Sequence, residues 1–128
     1  WRDRGGEHEA TRQVRELREV VLDLVPGRRI GYVTDLRFTE ANLDALSRLL
    51  DGVDQLFIES VFLDQDSEHA SRKNHLTARQ AGEIARRLAA RTVVPFHFSP
   101  RYEGREAALV AELHAARTES AAPPRGAV

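Results

Sequence analysis

The chain has 128 residues, of which 41% are hydrophobic and 30% charged, and its formal net charge is −1. This composition fits one domain with a single core. Because the chain is not strongly basic, binding of nucleic acid through net charge alone is excluded. No apolar run approaches the roughly 20 residues that span a bilayer. Because cysteine is absent, disulfides are excluded and a metal would have to bind His, Asp or Glu.

The two ends of the chain differ in composition from its centre. Residues 1–10 are polar, lack a signal-peptide pattern and are predicted to be a linker or disordered. The tail 118–128 is small, polar and proline-containing, which predicts disorder, so the folded part is expected to span 11–117. The chain lacks methionine and begins with Trp1, and we therefore expect it to be a piece of a longer, cytoplasmic protein.

The first predicted helix begins after Thr11, a favourable N-cap, and ends at the Pro26-Gly27 turn. Its apolar residues recur at the spacing of one helix face, namely Val14, Leu17, Val20, Val21 and Leu24. The apolar run 30–33 then predicts a short buried strand that ends at Thr34-Asp35.

Helices and strands continue to alternate along the chain. Thr39 is predicted to cap a second helix that stops at Asp51-Gly52, and residues 56–58 predict a second strand that ends at Glu59. Residues 60–74 are predicted to form a polar connection.

The last third of the chain repeats this alternation. Thr77 and Gln80 have the spacing of a capping box and predict a third helix. A third strand begins at residues 92–94, and Pro95 places it at a sheet edge or makes it irregular. A last helix is predicted over about 104–117. The order predicts an α/β fold with a mainly parallel, covered sheet.

Each predicted strand delivers an ionisable residue at its C-terminal end: Asp35, Glu59 and His97. Ligands of open α/β sheets bind beyond the carboxyl ends of the strands, so we expect these residues to converge on one rim. His75 joins them just before the helix that Thr77 caps, and the N-terminus of that helix suits a phosphate. Each residue alone has an ordinary structural explanation, but their shared position favours a site, with or without a metal.

Four stretches of the sequence, in this order and at this spacing, resemble the C-terminal half of ribonuclease Z: PGRRIGYVTDL, LFIESVF, HLTARQAGEIARR and VVPFHFSPRY. The resemblance implies half of a metallo-β-lactamase αββα sandwich, with about three strands that alternate with four helices. It also implies a metal-dependent phosphodiester hydrolase of the type that processes tRNA 3′ ends, with two zinc ions and an RNA substrate.

The resemblance implies roles for individual residues. Asp35 matches the aspartate that bridges the two zinc ions, and His97 matches the histidine that completes the second zinc site. Glu59 and His75 match a catalytic pair that assists proton transfer to the leaving oxygen. Arg101, in HFSPRY, is predicted either to hold phosphate oxygens or to brace its loop.

Thr77, at the start of its helix, is predicted to contribute to phosphate binding.

The sequence departs from the family pattern at Ile58, where the family has a histidine, and at Leu76, where it has a serine. The upstream His-x-His-x-Asp-His motif is absent. We therefore expect the chain to be inactive alone and to need the missing N-terminal half. The full-length protein is expected to form a homo-oligomer and not to contact membranes.

Three other functions stay open. The changes at Ile58 and Leu76 favour hydrolysis of another ester or thioester with the same metals. The chain is alternatively a non-catalytic half that pairs with another polypeptide, which predicts a large apolar surface. A Rossmann-like nucleotide binder is disfavoured, because the turn after the first strand has no glycine-rich loop.

Overall fold

The structure is a computed structural model, and it describes residues 2–119. Its elements, in chain order, are β1 (Arg2–Asp3), β2 (Gly6–Glu7), α1 (Val14–Val21), β3 (Ile30–Val33), α2 (Glu40–Leu50), β4 (Gln55–Glu59), α3 (Ser67–Lys73), α4 (Ala78–Arg87), β5 (Thr92–Phe96) and α5 (Glu106–Thr118). Two 3₁₀ turns lie at Asp64–Asp66 and Pro100–Tyr102. The predicted α/β class is confirmed.

The centre of the fold is a three-stranded parallel sheet with the order β3-β4-β5. All three predicted strands are present. Because helical connections return the chain to the start of each next strand, the carboxyl ends of all three strands meet at one edge. Pro95 lies in β5, opposite Ile58 of β4. Within the described residues β5 pairs with β4 alone, so the proline lies at the predicted edge, where its missing N–H costs no ladder hydrogen bond.

One face of the sheet carries the core. Leu56 and Ile58 of β4 are fully buried in the same cluster as Leu109 and Leu113 of α5. Helices α4 and α5 approach closely at Gly82, where a Cβ atom would lie 2.2 Å from the backbone oxygen of Leu113. This contact fixes how the two helices cover the sheet.

The opposite face of the sheet is open within the part of the chain that the structure describes. Side chains alternate between the faces of a strand, and Ile30 and Tyr32 of β3 are 63% and 66% exposed. The Tyr32 ring stacks on Phe96, with 4.9 Å between centroids, and lies 6.5 Å from Phe57. The prediction that β3 is buried is therefore wrong for one of its two faces.

Helix α1 differs from its prediction in start, end and environment. It ends at Val21, so the prediction that it continues to the Pro26-Gly27 turn is wrong. It begins at Val14 after Gln13, whose side chain makes no capping hydrogen bond, so the prediction of Thr11 as N-cap is wrong. Its apolar face is not buried, since Val14 and Val20 are 80% and 81% exposed. Periodicity identified the helix, but it could not show whether a neighbouring element covers the apolar face.

The predicted polar connection contains a fifth helix, α3, where four helices had been predicted. Ala70 of α3 is fully buried, and Asn74 ends the helix in the left-handed conformation with φ 59°. The apolar residues 61–63 before it are buried as well. The segment thus belongs to the core, although most of its side chains are polar.

Both ends of the chain were predicted to lie outside the folded part. Residues 1–10, predicted to be a linker or disordered, contain the antiparallel pair of β1 and β2. The predicted tail lies outside the described residues from position 120 onward, and the predicted domain boundaries stay a prediction. Among the helices of residues 2–119, none has both the length and the apolar character that crossing a membrane requires.

Candidate active site

Four ionisable side chains meet at the carboxyl edge of the sheet. Asp35, Glu59, His75 and His97 each offer one potential ligand atom, and these atoms all lie within 4.8 Å of one another. Asp35 and His97 follow β3 and β5, Glu59 ends β4, and His75 precedes α4. The predicted convergence on one rim is confirmed, while the roles of the four residues stay predictions.

Glu59 lies at the bottom of this group and is fully buried. Its Oε2 atom accepts a hydrogen bond from the backbone N–H of Asp35 at 2.7 Å. Its Oε1 atom accepts from the backbone N–H groups of Leu76 at 2.9 Å and Leu36 at 3.3 Å. Burial of a carboxylate is costly unless donors surround it, and here main-chain donors from two loops offset that cost.

Both histidines contact the same carboxylate oxygen. The Nδ1 atom of His75 lies 3.1 Å from Glu59 Oε2, and the Nδ1 atom of His97 lies 3.4 Å from it. A carboxylate only accepts hydrogen bonds. In the tautomer that fits this contact each Nδ1 donates, which leaves each Nε2 for a metal or a proton.

Exposure divides the four residues into two groups. The Asp35 and His97 side chains are 69% and 43% exposed, whereas His75 is 21% exposed and Glu59 is inaccessible. Asp35 and His97 therefore face solvent, and Glu59 supports the group from below.

Asp35 and His97 also share an uncommon backbone conformation. Their φ angles are 53° and 60°, in the left-handed region that side chains with a Cβ atom seldom adopt. Such conformations concentrate at functional sites because the surrounding structure must hold them. The two residues predicted to bind metal are thus the two strand-end residues of the group with strained backbones.

Thr77 and Arg101, predicted to bind phosphate, are both engaged within the protein. Thr77 is fully buried, and its hydroxyl donates to Asp64 at 3.1 Å and accepts from the backbone N–H of Gln80, which confirms the capping box. A phosphate contact of this hydroxyl would require the cap to open. An Arg101 nitrogen lies 3.4 Å from Asp66, and its guanidinium lies 5.5 Å from the centre of the Phe62 ring. These contacts support the bracing alternative for Arg101, and phosphate binding by either residue stays a prediction.

Tyr102 is a structural residue of the site region to which the sequence assigned no role. Its buried hydroxyl donates to Asp66 and accepts from the backbone N–H of Leu63 at 3.2 Å. Burial, together with the Asp66 carboxylate, raises the pKa of Tyr102 above its ordinary value. The hydroxyl ties the turn after His97 to the segment before α3. The only sequence feature that could have indicated a role for Tyr102 was its position in the HFSPRY stretch.

The two departures from the family pattern face the core. Ile58 and Leu76 are both fully buried, so neither side chain lines the exposed part of the site. Leu76 contributes through its backbone N–H, which any residue except proline supplies at this position. The changes at these positions therefore give little support to a different substrate.

The side chains of this four-residue group fit part of a metal site. Imidazole and carboxylate are good ligands for zinc, and a catalytic zinc takes about three protein ligands. Both oxygens of Glu59 already accept hydrogen bonds, which leaves Asp35 and His97 as exposed ligands with His75 beside them. These residues fit part of a metal site and would need further ligands to complete it.

Comparison with known proteins identifies the family. Residues 6–98 match the family described as Beta-lactamase superfamily domain, and the chain belongs to this superfamily. It is similar to the metallo-beta-lactamase fold protein YhfI from Bacillus subtilis, with a TM-score of 0.57 and 21% identity over 70% of this chain and 34% of that one. This likeness shows the metallo-β-lactamase fold.

Within the superfamily, the predicted resemblance to ribonuclease Z is confirmed. The chain is 40% identical over 89 residues to ribonuclease Z of Streptomyces avermitilis, which covers 70% of this chain and 28% of the relative. It is 43% identical over 81 residues to ribonuclease Z of Thermobifida fusca, covering 63% of this chain and 24% of the relative. The chain thus spans about a quarter of the length of these curated relatives.

Proposed function

We propose that the chain is part of a metal-dependent hydrolase of the ribonuclease Z type, which cleaves phosphodiester bonds in RNA. The observation that carries this proposal is the group Asp35, Glu59, His75 and His97 within 4.8 Å. It occurs in a chain that is 40% identical, over 89 residues, to a ribonuclease Z.

In this proposal Asp35 and His97 hold part of a site for two zinc ions. When bound, the ions supply Lewis acidity toward the phosphoryl oxygens. His75 delivers a proton from Nε2 to the leaving oxygen. The Glu59 carboxylate, 3.1 Å from His75 Nδ1, orients the ring, as a buried carboxylate does for a histidine that exchanges protons.

We further propose that the N-terminal half of the fold supplies the remaining metal ligands and covers the open face of the sheet. Ile30 and Tyr32 expose large apolar surfaces on this face, next to Phe57 and Phe96. A second sheet that packs face to face would bury them. The chain alone is accordingly expected to be inactive.

The activity is tested with Asp35→Ala in a full-length protein that contains both halves. Cleavage of a precursor tRNA and of bis(4-nitrophenyl) phosphate should fall by at least about 100-fold, because loss of a ligand exceeds the effect of losing its hydrogen-bond partners. The matched control is Asp44→Ala, which removes an exposed carboxylate of α2 that lies 4.0 Å from Arg87. Near-normal activity of Asp35→Ala would end the proposal.

The open sheet face is tested with a dye that fluoresces on apolar surfaces. The isolated chain should bind the dye, and Tyr32→Lys should weaken binding because it places a charge in the centre of the face. Leu49→Lys, at a residue of α2 that is 69% exposed, should leave dye binding unchanged. A chain that is monomeric in sedimentation and does not bind the dye would contradict the proposed pairing.

A further inference from the structure

We infer that Glu59 is a positioning residue that sets the backbone at Asp35 as well as the rings of His75 and His97. Its meaning for catalysis rests on the proposed function, whereas the hydrogen bonds themselves do not. Glu59 thereby links the residues proposed to hold metal with the residue proposed to deliver the proton.

The carboxylate of Glu59 joins three separate segments of the chain. After β3 it accepts from the Thr34 hydroxyl at 3.4 Å and from the backbone N–H groups of Asp35 and Leu36. Before α4 it accepts from the Leu76 N–H and contacts the His75 ring, and after β5 it contacts the His97 ring. Two carboxylate oxygens offer about four lone-pair directions. With six contacts and no exposure, Glu59 has no capacity left for a substrate or a solvent proton, so it acts through the groups that it holds.

The arrangement demands a carboxylate with the length of Glu. In Glu59→Gln the side-chain amide would have to direct its N–H₂ group either toward the Asp35 N–H or toward the N–H groups of Leu36 and Leu76. In either orientation the amide N–H₂ group faces backbone N–H groups, and because two donors cannot hydrogen-bond to each other, a buried N–H stays unsatisfied. Glu59→Asp keeps the charge but is one methylene shorter, so it cannot reach all three segments at once.

Loss of these hydrogen bonds releases the strained backbone at Asp35. The 2.7 Å bond from its N–H to Glu59 holds φ at 53°, and without it the loop can relax toward ordinary angles. The Asp35 carboxylate then loses its fixed position relative to His97. The expected consequence is a 10- to 100-fold loss of metal affinity, roughly the range seen when partners of metal ligands are removed.

Amide hydrogen exchange, measured by NMR on this chain without metal, tests the inference. Although Asp35, Leu36 and Leu76 lie outside helices and strands, their amides should exchange much more slowly than unstructured amides. In Glu59→Gln the protection at all three should fall by about tenfold or more, while the amides of β4 keep theirs. In His75→Ala, which removes only a ring from the same oxygen, Asp35 and Leu36 should stay protected.

Wild-type amides that exchange at unprotected rates would overturn the inference, as would unchanged protection in Glu59→Gln. If that variant does not fold, the wild-type rates and Glu59→Asp decide the question. A purely structural role would lower protection throughout β4 instead of at three loop amides. Zinc titration of a full-length protein that contains both halves separates the two proposals. If the wild type binds no Zn²⁺, the proposed function fails and the exchange result still stands. If the wild type binds Zn²⁺ and Glu59→Gln binds it equally well, the inference fails.

Discussion

Asp35 and His97 hold left-handed backbone conformations, which cost about 1–3 kcal/mol each in residues other than glycine. At Asp35 the hydrogen bond from its N–H to Glu59 offsets this cost. His97 is held from both sides, because Phe96 accepts from the Ser60 N–H and the Ser99 N–H donates to Val61. The strain is thus maintained by neighbours at the two positions that are proposed to bind metal.

Asp54 plays a stabilising role at the opposite edge of the sheet. Its carboxylate accepts from the Arg29 backbone N–H at 2.9 Å and from the Arg91 side chain at 3.1 Å. These hydrogen bonds, that of Arg29 first, lower the pKa of Asp54 below its ordinary value. They connect the segment before β3 with β4 and the start of β5.

This lowered pKa predicts a pH dependence of stability. A carboxylate with a depressed pKa in the folded state stabilises the protein above its unfolded-state pKa, and this stabilisation is lost as the pH falls through the folded-state value. Urea unfolding of wild type and Asp54→Asn should therefore show a gap in unfolding free energy that narrows between about pH 5 and pH 2. Asp44→Asn, which removes an exposed carboxylate of α2, serves as the control. A gap that is constant with pH would contradict this role.

At the scale of elements, the contact between α4 and α5 depends on Gly82. A Cβ atom there would lie 2.2 Å from the backbone oxygen of Leu113 and 2.9 Å from the Cβ of Ala116. Because both neighbours belong to the packed helix α5, neither can move aside without shifting the helix.

Gly82→Ala should therefore destabilise the fold although alanine favours helices. Overpacking of this kind costs about 1–3 kcal/mol, and each kcal/mol lowers the melting temperature by roughly 4 °C in a domain of this size. Gly27→Ala is the matched control, since nothing lies within 4 Å of a Cβ at Gly27. Circular dichroism melting curves measure both, and a Gly82→Ala curve at or above wild type would refute the close contact.

Element boundaries were predictable where the signal is local. The side chains of Thr39 and Thr77 accept from the N–H groups of Asn42 and Gln80, three residues along, as the sequence predicted. Helix α3 was missed because it has only seven residues and is largely polar. It is held by tertiary burial of Ala70, which no local pattern reveals.

The location of the site was predictable from the sequence, but the hydrogen bonds within it were not. The rule that ligands gather at the carboxyl ends of parallel strands located Asp35, Glu59 and His97. The sequence could not show that Glu59 is saturated, because three of its donors are main-chain N–H groups. It also could not show that the Thr77 hydroxyl is committed to the helix cap.

At the scale of the whole molecule, the open sheet face and the candidate active site are continuous. Phe96 of that face precedes His97 directly, and Tyr32, which stacks on Phe96, lies three residues before Asp35. Any element that covers the face also borders the site. This continuity explains how a second half of the fold can supply both cover and metal ligands.

The central claim is that Asp35 and His97 supply ligands to a metal at the carboxyl edge of the sheet. The most direct measurement is a Zn²⁺ titration of a full-length protein that contains both halves, monitored through the NMR signals of the His75 and His97 rings. It is made on wild type, Asp35→Ala, His97→Ala and Asp44→Ala. We predict saturable shifts at His97 that chelation reverses, a weakening of about tenfold or more in Asp35→Ala and His97→Ala, and no change in Asp44→Ala. Ring signals that do not respond to Zn²⁺, or an Asp35→Ala variant that binds Zn²⁺ as tightly as wild type, would contradict the claim.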